Sequence, residues 1–393
     1  MKRCAIVGMG MITGLQEGKT ARLLEAEAAR LAIEDAGISP KQVNGAMQLR
    51  RTGGGGERSV LTDAYPRVLG LPVNFYYTVG RGGCLAGLAV AQAQAFLNLG
   101  IADYVVLTGA VDDKSRVNES KKAGFRGMKH MEKEGYWGKP FGDLIAPSHH
   151  SWFAARHMHE YGTTSKQLGA IAVQQRAWAQ KNPRAYFYGK PMTIEDHQNS
   201  PYIVEPYHLL DICLVSDGAV SVVMTTEDRA NDCKKPPVWV KGVGFGEVMA
   251  NLWWEKKNYT TLAVQPARDQ ALKQAGIELE DINAAQLYDC FTGEVLFQIE
   301  DYGWCEKGEG GAFVEAGNIG PGGSIPVNTS GGLLSAYHLG DLTGLSEAVM
   351  QLRGEAGERQ IENCEHVLVT GHGGEVLSPA MCSIHSSLIL GRN

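Results

Sequence analysis

The chain repeats itself, and that repetition restricts its fold more than any other feature. Ala36-Gly37-Ile38 followed by Val43-Asn44-Gly45-Ala46 returns 239 residues later as Ala275-Gly276-Ile277 followed by Ile282-Asn283-Ala284-Ala285. Upstream, Val7-Gly8-Met9-Gly10 is echoed by Lys241-Gly242-Val243-Gly244. Downstream, Gly82-Gly83 and Gly331-Gly332 each open a stretch read as helical, leading to Tyr104–Gly109 in one half and His366–Gly371 in the other. Matches that keep their order over most of a chain indicate a duplicated structural unit. The repeat also accounts for part of the glycine excess, 49 of 393 residues against a usual share of about 7%. These glycines have no three-residue period, which excludes collagen. They sit beside apolar runs, as strand-to-helix turns and close backbone approaches require.

Each unit reads strand, helix, strand, helix, strand. Residues 21–36 carry apolar positions at helical spacing, and Gly37 closes the helix. Ala86 to Leu99 reads as a second, mostly buried helix ended by Gly100, and Ile101 to Leu107 as a central parallel strand. This alternation predicts an α/β fold with covered sheets. The expected halves are residues 1–112 with 206–234, and residues 235–393. Between them, residues 113–205 differ in composition: they hold six of the eleven histidines and Trp137, Trp152 and Trp178. They read as an inserted lid of loops and helices, after which Asp211 to Met224 returns to the core as a strand.

With 44% hydrophobic and 20% charged residues, the chain can bury a core, and neither disorder nor a coiled coil is expected. Net charge is −6 with no long basic block, so nucleic acid is not an expected partner. No run of 18 apolar residues predicts a membrane span. The eight cysteines form no C-x-x-C pair, so neither a zinc ribbon nor another metal site is expected within the chain. An acidic chain of this size is expected to be cytoplasmic, with reduced thiols.

Four stations carry chemistry. Cys84 ends the Gly80-Arg81-Gly82-Gly83 turn where a buried helix begins, and helix N-terminal N–H groups stabilise a thiolate. Tyr288-Asp289-Cys290 lies at a strand's carboxyl end, where α/β sheets gather ligands, and offers an acid/base set. Asp289 has a blander reading as the cap of the next helix. The Asn328–Gly340 segment contains Tyr337 and His338 and occupies the second-half counterpart of the Cys84 turn. The repeat therefore predicts Cys84 and His338 close together across a pseudo-twofold axis, a pairing that raises thiolate content. Finally, Gly371-His372-Gly373-Gly374 can form an anion nest. Gly8-x-Gly10 also suggests a dinucleotide turn, but the third glycine is misplaced and the turn belongs to the repeat.

These stations on a duplicated α/β unit resemble the thiolase superfamily over nearly the whole chain. Cys84 with Gly87 looks like its nucleophile motif, Ser216-Asp217-Gly218-Ala219 like the signature ending the first half, and the Gly331-Gly332 station with His338 like its Gly-His-Pro motif. Tyr288-Asp289-Cys290-Phe291 resembles the His-Asp-Cys-Phe motif of the sterol carrier protein type, and Gly371 stands where other thiolases carry a Cys-x-Gly cysteine. The resemblance implies two βαβαβαββ halves in a five-layered αβαβα core. It implies Cys84 as nucleophile, His338 as its base and Cys290 as acid/base thiol. The N–H groups of Cys84 and Gly373 would form the oxyanion hole, with Tyr288, His372 and Tyr337 as substrate-binding groups. The implied reaction is thiolysis of a β-oxoacyl-CoA with a bulky or aromatic acyl group, as in the catalytic subunits of benzoylsuccinyl-CoA thiolases. Coenzyme A would be a substrate, with no permanently bound cofactor. A homodimer core and a small companion with a zinc ribbon and an OB-fold are implied partners. Tyr288 departs from the motif, and Tyr337 and Leu339 replace its Gly and Pro. A tyrosine in that slot also resembles the thiolase-like retro-aldolases of steroid side-chain breakdown, in which Tyr288 and Tyr337 would act as acid and base. Those usually lack the nucleophilic cysteine, and Cys84 favours thiolysis. A non-catalytic acyl-CoA-binding subunit is a third reading.

Overall fold

The computed structural model describes residues 2–49, 64–80, 82–122, 146–247, 258–373 and 384–393. Arg81, Trp137, Gly374 and Cys382, all part of the sequence reading, lie outside the described residues.

The first half contributes strands β1 (Cys4–Thr13), β2 (Gly45–Leu49), β3 (Phe75–Val79), β4 (Tyr104–Asp112) and β5 (Asp217–Thr226). The second contributes β6 (Val238–Glu247), β7 (Ala284–Gln286), β8 (His366–Gly373) and β9 (Ile384–Gly391). Their order across the sheet is β3-β2-β4-β5-β1-β6-β9-β8-β7. Read outward from the β1–β6 junction, the halves follow the same path. β5 and β9 are antiparallel to both neighbours, β2–β4 and β7–β8 are parallel, and the Ala285–Val327 bridge takes the place of the β2–β3 ladder. The halves meet antiparallel through Ala5–Trp239 and Ile6–Val238.

The repeated residues do the same work twice. Asn44 Oδ1 accepts the N–H groups of Asp103 and Tyr104 at 2.7 and 3.2 Å, and Asn283 Oδ1 accepts those of Glu365 and His366, both at 2.8 Å. Helix α1 (Ala21–Ala36) crosses β1 so closely that a methyl on Gly10 would lie 2.1 Å from the Ala28 carbonyl oxygen. Before α5 (Val264–Ala275) come α2 (Leu85–Asn98), α3 (Ala146–Tyr161) and α4 (Ser165–Ala179). Helix α5 crosses β6 in the manner of α1, with the corresponding distance from Gly244 to the Ala267 carbonyl oxygen 1.9 Å. The paired glycines are thus strand–helix contacts and not nucleotide turns.

Three packed regions give the layers. α1 closes the outer face of the first half with Ala29, Ala32 and Ile33 against Val7, Val106 and Val223. α5 and α6 (Thr292–Tyr302) close the outer face of the second. Between the sheet halves, α2 and α7 (Leu342–Arg353) share one core, with Ala89, Val90, Leu345 and Val349 among strand residues of both halves. α3 and α4 of the inserted region come from the first half of the chain, yet Phe153, Leu168 and Ile171 pack with Val295 and Phe297 of the second. Among the described residues, no helix is long and apolar enough to cross a membrane.

Two local expectations differ from the structure. Gly331-Gly332 begins only a five-residue π-type turn, Gly332–Ala336, and the long helix starts at Leu342. The strand expected over Asp211–Met224 runs over Asp217–Thr226, because Leu209–Asp211 is a short 3₁₀ turn.

Candidate active site

The site lies where α2, β8 and the loop after β7 converge. Cys84 is fully buried at the N-cap of α2. Its turn is pressed against β8: a methyl on Gly371 would lie 2.7 Å from Cys84 Cα, and one on Gly83 2.2 Å from the His372 carbonyl oxygen and 2.6 Å from Cζ of Tyr288. Only glycine permits three backbones and a phenol ring to meet this closely.

Tyr288 is held at both of its backbone polar groups. Its N–H donates to Thr370 Oγ1 at 2.8 Å, and its carbonyl accepts from Gln298 Nε2 at 2.8 Å. Thr370 Oγ1 in turn donates to Gln298 Oε1 at 2.6 Å, which ties β8 to α6 and closes the clamp. The buried Tyr288 ring lies 6.5 Å from the His338 ring and 6.5 Å from the His372 ring, centroid to centroid. The His338 N–H donates to Ser216 Oγ at 2.9 Å, while Asp217 accepts from Gln16, Ser115 N–H and Ser115 Oγ. The Ser216-Asp217 pair therefore positions the main chain around His338.

Two carboxyl groups act as buried anchors. Asp289 accepts the N–H groups of Leu333 and Leu334 at 2.9 to 3.3 Å, so it caps the Gly332–Ala336 turn and not the helix that follows it in sequence. Asp341 accepts the Ala86 N–H at 2.6 Å in the first turn of α2. Burial pushes each carboxyl up to about 7, against the pull of these N–H donors. Both line a cavity of about 10 Å³ beside Tyr288, room for no more than one water molecule and too small for an acyl chain.

The structure thus gathers Cys84, Tyr288, His338, His372 and Gly373 into one region. Cys290 is buried in the second-half core with Leu287 and Phe291, and its carbonyl accepts the Cys213 N–H at 3.0 Å. Tyr337, the residue before His338, is buried. It is in the central core, its hydroxyl directed at Met11 Sδ 3.9 Å away, and burial pushes its phenol up to about 12. The extended Tyr337 backbone that follows the π-type turn carries the side chain inward. Sequence reasoning missed Thr370, Gln298 and Asp341. Asp341 had a signal in its place three residues after His338. The others act through contacts made between distant segments.

Fold and site together define a thiolase-fold enzyme, and the chain belongs to the thiolase superfamily. A family profile described as Thiolase C-terminal domain-like matches residues 247–392. The steroid side-chain-cleaving aldolase of Thermomonospora curvata is 36% identical over 377 residues, 94% of this chain and 95% of that one. The 17-hydroxy-3-oxo-4-pregnene-20-carboxyl-CoA lyase of Mycobacterium tuberculosis is 34% identical over 95% of this chain and 97% of its own. The solved Ltp2-ChsH2(DUF35) aldolase superposes with a TM-score of 0.84 at 34% identity, covering 99% of this chain and 97% of that one.

Proposed function

We propose that this enzyme cleaves a β-hydroxyacyl-CoA with a bulky β-carbon by a retro-aldol reaction. The observation that carries this reading is Tyr288. Its main chain is clamped between α6 and β8, and its phenol ring lies against the nucleophile turn. The aldolase and lyase names of full-length relatives support it over thiolysis, which the sequence favoured. Tyr288, to which the sequence reading gave less weight than to Cys84, is the residue that distinguishes the two readings.

In this reaction the β-hydroxyl gives its proton to the Tyr288–His338 pair, and the Cα–Cβ bond breaks. The β-carbon leaves as a carbonyl, and the electron pair passes to the thioester as an enolate. N–H groups of Cys84 and Gly373 face the enolate oxygen. The shuttled proton returns to Cα, yielding a shortened acyl-CoA. Atoms and charge balance without free coenzyme A and without an acyl-enzyme. Tyr337 is the second phenol that the retro-aldol reading assigns to acid/base work. A DUF35-type companion is the proposed partner, by analogy with the solved aldolase. The zinc ribbon and OB-fold of that companion, and self-association through the sheet-end strand β3, belong to the same proposal.

Thiolysis stays as a second reading because Cys84 sits at the N-terminus of a buried helix. Incubation with β-hydroxyacyl-CoA and β-oxoacyl-CoA esters, with and without free coenzyme A, separates the two. The expected result is cleavage of the β-hydroxy ester without added coenzyme A. Tyr288→Phe should slow that cleavage by about 10²-fold or more, and Cys84→Ala should leave it largely intact. Cleavage confined to β-oxo esters and dependent on coenzyme A, with an acyl adduct on Cys84 by mass spectrometry, would overturn the proposal.

A further inference from the structure

Three buried contacts between a histidine and a carboxylate surround α6. His197 Nε2 meets Asp211 Oδ1 at 2.9 Å, and Asp211 also accepts from the Thr292 hydroxyl at 2.7 Å and the His208 N–H at 2.8 Å. His157 Nε2 meets Glu300 Oε2 at 2.9 Å, and that carboxylate is matched by Lys307 at 3.1 Å and by the N–H groups of Gly308 and Gly310. Each of these is an ordinary buried pair supplied with donors.

The third contact is built differently. Glu294 Oε1 pairs with His150 Nδ1 at 2.5 Å, and where Glu300 has a lysine, Glu294 has a second imidazole: His372 Nε2 lies 3.0 Å from Oε2. That second contact is not aligned as a hydrogen bond. Among the described residues, neither ring nitrogen of His372 has a hydrogen-bond partner, although its side chain is fully buried. One ligand atom from each of the three residues lies within 4.8 Å of the others. A nitrogen and an oxygen close together but misaligned for donation are placed as two ligands of a third centre would be. Two imidazoles and a carboxylate form a donor set suited to borderline divalent ions.

We propose that His150, Glu294 and His372 form a binding site for one divalent transition-metal ion of the zinc, cobalt or ferrous class. The ligands come from α3, α6 and β8, so the ion would join the inserted region to both walls of the site. It would also fix the His372 main chain, whose carbonyl abuts Gly83. The site is independent of whether the reaction is a retro-aldol cleavage or a thiolysis.

The test uses the full chain expressed without a companion, since a companion could bring its own zinc. After dialysis against Zn²⁺ and then metal-free buffer, elemental analysis should find about one metal per chain. The Co²⁺-loaded protein should show d–d absorption without the thiolate-to-cobalt charge transfer that binding at Cys84 or Cys290 would produce. Zn²⁺ should raise the Tm of the wild type. Glu294→Gln and His372→Ala should lose metal and shift, while His157→Ala, at an equally buried histidine of the same helix as His150, should keep both. The proposal is overturned if the wild type retains no stoichiometric metal. Retention undiminished in His372→Ala, or a thiolate signature, would overturn it equally. The wild-type measurements decide the matter even if a variant fails to fold.

Discussion

At the scale of single residues, the nucleophile turn depends on absent side chains as much as on present ones. Gly83→Ala would drive a methyl to 2.2 Å from a backbone oxygen and 2.6 Å from the Tyr288 ring. It should abolish turnover and destabilise the fold by about 1–3 kcal/mol, seen in activity assays and thermal melts. Asp341 gives a pH prediction. Its folded carboxyl sits at about 7, above its unfolded value of about 3.9, so the neutral form is the one folding favours. The stability this gives is complete below the unfolded value, declines as pH rises, and is gone above about 7. Asp341→Asn keeps an acceptor for the Ala86 N–H and never ionises. Its Tm should rise relative to wild type between pH 5 and pH 8; equal differences at both pH values would refute the assignment. Cys84 and His338 were legible because the repeat itself pairs their segments. Glu294 and His150 were not, because they meet across 144 residues of sequence with no shared motif.

At the scale of elements, glycine pairs in β1 and β6 set the depth at which α1 and α5 pack. Gly244→Ala, with 1.9 Å to the Ala267 carbonyl oxygen, has backbone and not a flexible side chain to displace. It should lower stability by about 1–3 kcal/mol, read as a reduced denaturation midpoint with the catalytic constants of the folded fraction unchanged. Helix α1 was legible to the residue, since its periodicity and its left-handed Gly37 terminus, φ 73°, are local signals. The Gly331-Gly332 stretch was not. There Asp289 takes up the Leu333 and Leu334 N–H groups from another segment and helps hold a short π-type turn, a tertiary contact that no local pattern announces.

At the scale of the whole molecule, α2 and α7 belong to neither half alone. Their apolar faces, with Ala89, Val90, Leu345 and Val349, are buried among strands of both. The inserted helices add a second crossing, from the first half of the chain onto α6. Residues 1–234 expressed alone should therefore lack a cooperative thermal transition, and the intact chain should unfold in one. A fragment with sharp, dispersed NMR signals would contradict this. The duplication made the architecture legible, because two copies of one pattern reveal strand order by comparison. The sequence did not indicate that the insertion would pack on the opposite half, since apolar helical faces do not name their partners.

Covalent duplication also has a chemical consequence. Two identical chains joined about a twofold axis would carry the same residue at both symmetry-related helix starts. In a single chain each copy mutates on its own. Here one helix begins at Cys84 and its counterpart follows His338, so a symmetric scaffold holds an asymmetric set of reactive groups. The same freedom let Tyr288 arise beside the thiol without a second phenol appearing in the matching place of the other half, where the residue 239 positions earlier is Leu49. Symmetry supplies the rigid frame, and its local loss supplies the chemistry.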